Sequence, residues 1–114
     1  MKLLRIVGVV HAIGVFAQAV FAGQFLSGVD GAVSGHEAVG WLVLAVCLLQ
    51  IAVSLSLRVP RGGTLPFTLS STLIFLAELL QAGTGYGRFL EVHIPLGALI
   101  LGGVAAQLVW VFRV

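Results

Sequence analysis

The chain has 114 residues, of which 60% are apolar and only 9% charged, and its net charge is +2. A mean hydropathy of +1.16 excludes an ordinary soluble domain, and so small a positive charge gives no footing for nucleic-acid binding. The expected partner of such a surface is the lipid bilayer. Four apolar runs of about 20 residues match a hydrocarbon core roughly 30 Å thick, at about 1.5 Å of rise per residue.

The first predicted span covers residues 6–26 and follows Lys2 and Arg5. A basic start, an apolar run and Val20-Phe21-Ala22 also fit a cleavable signal peptide. Cleavage would leave three helices and remove the counterpart of the third run, so four spans is the preferred reading. Residues 27–35 carry turn chemistry, and the second span is predicted over 37–57. Residues 58–63, around Pro60, form the middle connection. The third span is predicted over 65–82, a connection with three glycines covers 83–88, and the fourth span covers 93–112. The expected architecture is an all-α, antiparallel bundle of four transmembrane helices in one domain, residues 1–114.

Lys2, Arg5, Arg58, Arg61 and Arg113 lie at the termini and in the middle connection, whereas Arg88 alone lies elsewhere. That bias in short loops places both termini in the cytoplasm of a multi-pass plasma-membrane protein. Cys47, the single cysteine, excludes an internal disulfide and reads as a small packing residue.

The second half repeats the first at an offset of 57 residues: Gln24, Gly28, His36, Gly40 and Gln50 fall on Gln81, Gly85, His93, Gly97 and Gln107. The units are residues 1–57 and 58–114, each a helical hairpin. Two hairpins of the same topology are related by a pseudo-twofold along the membrane normal. Helices 2 and 4 are then diagonal, with His36 and His93 at equal depth near the outer face. Below them, His36, Gly40, Val43, Cys47, Gln50 and Ser54 step by fours and threes, as do His93, Gly97, Ile100, Val104, Gln107 and Val111; both lines face the bundle interior.

Two facing imidazoles suit the axial positions of a haem b iron. Zinc fits less well, because two histidines half-fill a tetrahedral site. Gly40 and Gly97, one turn below the histidines, are expected to let a flat porphyrin approach the backbone. Gln24 and Gln81 are expected level with the histidines, either fixing their tautomers or serving as interhelical hydrogen-bonding groups. Gln50 and Gln107, about 20 Å deeper at 1.5 Å per residue, read as structural.

The segments Gln24-Phe25-Leu26, Gly35-His36-Glu37-Ala38-Val39-Gly40 and His93-Ile94-Pro95-Leu96-Gly97 resemble a family of small four-helix bacterial membrane proteins of unknown function. The plan is also similar to each half of haem A synthase. That resemblance implies haem ligation by His36 and His93 only. The Glu-x-x-His-Arg motif of that family is absent, since Val33-Ser34-Gly35 precedes His36 and Glu37 follows it. Haem-oxidising chemistry is therefore not implied.

Glu78 faces Phe21 in the repeat, and an unpaired carboxylate in hydrocarbon is costly. It is the candidate proton carrier, with a pocket hydrogen bond or snorkelling as alternatives. Arg88 is a candidate for binding haem propionates or an exposed loop residue. His11, opposite Thr68, shares a face with Gln18. A simple interhelical hydrogen bond is the preferred role there, over a polar cavity or quinone site.

The expected function is a b-type membrane cytochrome carrying single electrons, with a quinone, a partner protein or an external oxidant completing the circuit. The alternatives are a proton-coupled small-molecule transporter using Glu78, or a non-catalytic accessory subunit. Small multidrug transporters are similar in size, but they keep their glutamate in helix 1. Gly102-Gly103 offers a surface for homo-oligomer contacts.

Overall fold

A computed structural model describes residues 1–57 and 64–114; the connection around Pro60, with Arg58 and Arg61, lies outside the described residues. Among the described residues there are four α-helices: α1 (Lys2–Leu26), α2 (Ala32–Ser56), α3 (Leu65–Tyr86) and α4 (Leu90–Arg113). Each is long and apolar enough to cross a membrane. Together they form a bundle 50 Å long and about 20 Å across. Helix α1 packs on α2 and α4, and α3 packs on the same two, so α2 and α4 lie diagonally.

The helix ends follow from local chemistry. Gly28 closes α1 in the left-handed region at φ 79°. There the Val29 N–H reaches the Gln24 carbonyl at 2.9 Å and the Gly28 N–H reaches Phe25 at 3.0 Å, the bonding pattern of a Schellman cap. Helix α3 ends in the same pattern, with Phe89 bonded to Thr84 at 2.9 Å and Arg88 to Gly85 at 3.1 Å. Its left-handed position is occupied by Arg88 at φ 59°. Gly31, at φ 77°, turns the chain into α2. Consequently α2 and α4 begin earlier than their apolar runs suggest, and each histidine sits within the first turn and a half of its helix. Helix α4 runs through Pro95, which leaves the Glu91 carbonyl without its intrahelical donor. At the other end, the Arg5 guanidinium donates to the carbonyls of Val111 (3.2 Å) and Val114 (3.1 Å). This ties the two chain termini together.

The interior is layered. Near the termini, Leu4, Val7, Val53, Phe67 and Val111 form one apolar cluster, and nearer the hairpin loops Val15, Val43, Ile100 and Val104 form another. Between them lies a polar band. Gln50 donates to Gln107 (2.9 Å) and to the Ser71 hydroxyl (3.0 Å), and Gln107 donates to Ser70 (2.7 Å) and Ser71 (2.9 Å). Where no water can serve these amides, they must find one another, and doing so fixes the rotation of α2, α3 and α4 about their axes.

Candidate functional site: a histidine pair between α2 and α4

His36 and His93 meet across the diagonal at the loop end, with ring centroids 6.0 Å apart and planes inclined at 61°. Each ring is aimed by a main-chain carbonyl of the preceding helix. The His36 Nδ1–H donates to Gln18 O at 3.1 Å, and the His93 Nδ1–H to Gln81 O at 2.8 Å. A helix carbonyl has a second lone pair for this purpose. With Nδ1 carrying the proton, each Nε2 keeps its lone pair, and among the described residues neither Nε2 has a partner. Both imidazoles are only partly buried.

Below each ring the same device recurs. A Cβ on Gly40 would stand 2.7 Å from the Gln18 amide nitrogen, and one on Gly97 would stand 2.8 Å from that of Gln81. These glycines therefore make room for the glutamine side chains. The expected bare backbone for a flat ligand is not what they provide. A different glycine clears space for an imidazole: a Cβ on Gly85 would lie 2.8 Å from His93 Cε1. On the other side, the Phe21 ring covers Gly35. The carbonyl oxygens of the Gln18 and Gln81 side chains are buried and have no partner among the described residues.

The other expected residues are distributed as follows. Gln81 contacts its histidine, but Gln24 is exposed at the end of α1, and the glutamine that meets His36 is Gln18, six residues earlier. Identity at a constant offset matched the wrong glutamine, because α1 runs past the histidine layer before it caps. Gln18 was legible in one respect: it lies on α1 as Gln81 lies on α3, each above a His-x-x-x-Gly partner. Arg88 is exposed. Tyr86 donates to the Glu37 carboxylate at 2.7 Å and joins α3 to α2 beside His36.

Glu78 has a partner that the sequence did not reveal. His11 Nε2 lies 2.7 Å from Glu78 Oε1, with both residues buried. Cys47 completes a group in which one ligand atom from each residue lies within 4.8 Å of the others.

A cleft of about 260 Å³ lined by Phe67, Ser70, Gly103, Gln107 and Trp110 lies on the α3–α4 side, far down the bundle from the histidines. Gly103 therefore faces this cleft, while Gly102 has open space around it. No family model, curated protein or solved structure matches the chain.

Proposed function

We propose that the protein is a membrane cytochrome holding one haem b, with His36 and His93 as the axial ligands, and that it carries single electrons. One observation supports this above the others: two imidazoles, each with Nδ1 anchored and Nε2 free, stand with ring centroids 6.0 Å apart. His36 and His93 would hold the haem iron through their two Nε2 atoms. The donor set fits this group, since two neutral imidazoles satisfy both axial positions, whereas a tetrahedral metal would lack two ligands.

Haem would supply a one-electron couple, and with both histidines as its protein ligands it would favour electron transfer over oxygen activation. The chain's own residues have defined work. The Gln18 and Gln81 carbonyls hold the tautomer and orientation of each ring and raise its basicity, as the outer partners of metal-bound histidines do. The glutamine side chains over Gly40 and Gly97 lock those carbonyls in register. Arg88 is placed at the loop end, where it can pair with propionates.

The two hairpins act as repeated units about an axis along the membrane normal, a reading supported by the double occurrence of the Gln–His–Gly arrangement. Lys2, Arg5, Arg58, Arg61 and Arg113 favour cytoplasmic termini in the plasma membrane, which puts the histidines near the outer face. A site at one face needs a quinone, a partner protein or an external oxidant as its electron partner. The transporter reading loses ground, because it needs Glu78 in a water-reached cavity, and Glu78 is buried against His11.

The test is to purify the protein from haem-replete cells and measure haem per chain. One haem b per chain is expected, lost in His36→Ala and in His93→Ala but retained in His11→Ala. A colourless wild-type protein would refute the proposal.

A further inference from the structure

We infer that His11, Cys47 and Glu78 form a second, separate metal site, enclosed in the bundle interior and suited to a divalent ion of zinc's character. The three side chains come from α1, α2 and α3, and their relative exposures are 0%, 0% and 6%. Zinc takes imidazole nitrogen, thiolate sulfur and carboxylate oxygen at roughly 2.0–2.3 Å, which sets its ligand atoms about 3.3–3.8 Å apart. The present atoms all lie within 4.8 Å of one another, about 1 Å beyond that spacing at most.

Two further observations point to a ligand. Glu78 Oε2 and His11 Nδ1 are buried with no partner among the described residues. Such orphans are costly in a low-dielectric interior. Glu78 Oε2 can supply a fourth contact by bidentate coordination. The Cys47 thiol donates to the Ser71 carbonyl at a long 3.6 Å.

Charge favours the same conclusion. A thiolate, a carboxylate and a neutral imidazole around a divalent cation sum to zero, the state the membrane interior tolerates best. Binding releases the thiol proton. Soft and borderline donors in this mixture exclude magnesium and calcium, which prefer oxygen alone. The site does not depend on the haem reading, since it shares no residue with the histidine pair.

Because the group is enclosed, zinc should be supplied during expression and the protein purified without chelator. Metal analysis and zinc K-edge absorption are then measured on the wild type, Cys47→Ser and Glu78→Gln, and on the His36→Ala/His93→Ala double variant. The wild type is expected to retain one zinc per chain with a single sulfur neighbour. Cys47→Ser should lose that sulfur signal, both single variants should bind zinc at least tenfold more weakly, and the double variant should keep the wild-type signal without haem. Zinc at the level of a detergent blank, or zinc with no sulfur neighbour in the wild type, would overturn the inference even if every variant failed to fold.

Discussion

Gly85→Ala gives a direct probe of how His93 is held. The added methyl would meet His93 Cε1 at 2.8 Å and Nδ1 at 3.0 Å. Carbon atoms settle at about 3.5 Å or beyond, so the imidazole must retreat by about 0.7 Å. Metal–ligand distances tolerate only about 0.2 Å, and the same retreat breaks the 2.8 Å bond from Nδ1 to the Gln81 carbonyl. Loss of such an outer partner typically weakens a metal-bound group about 10- to 100-fold. The assay is haem titration of the purified variant beside Gly83→Ala, whose Cβ would meet nothing within 4 Å. Both changes add about 0.5–1 kcal/mol of helix preference, so a difference between them reports on the imidazole. Wild-type haem affinity in Gly85→Ala would refute the assignment of His93 as a ligand held from behind.

Three further outcomes are expected. In the metal-free protein in detergent, His11→Leu should destabilise by about 1–3 kcal/mol by leaving the buried Glu78 without its hydrogen-bond partner, whereas His11→Leu/Glu78→Leu should lie closer to wild type; a double variant worse than the single would contradict this. Arg88→Gly should relieve about 1 kcal/mol of left-handed strain, and thermal unfolding should rise; a simultaneous loss of haem would assign Arg88 to the propionates. Cysteines placed at Asp30 and Glu91, both exposed in the hairpin-loop region, should react with an impermeant reagent from outside intact cells; reaction only after lysis would invert the topology.

The four helices were legible because lipid imposes a simple requirement, an apolar run of sufficient length between turn residues. Their starts were less so. Gly31 and Phe89 let α2 and α4 begin a turn before the hydrophobic pattern does, and Pro95 sits inside α4 despite its missing donor. The histidine pair could be read from its duplication and its His-x-x-x-Gly spacing. The partner of His36 could not, since a main-chain carbonyl leaves no mark on residue type and Gln24 offered a tempting match at constant offset. Likewise Glu78 and His11 are far apart in the chain, on helices that only the folded bundle relates. The repeat places Phe21 opposite one and Thr68 opposite the other, so nothing in the sequence joined them.

Iron held between His36 and His93 is the central proposal. The decisive measurement is the absorption and electron paramagnetic resonance of the purified protein, oxidised and then reduced, with no ligand added. Two axial imidazoles predict a low-spin, six-coordinate ferric signal, a sharp Soret band and a reduced form that does not take up carbon monoxide. A high-spin signal, ready carbon monoxide binding, or an unchanged low-spin spectrum in His36→Ala would contradict it.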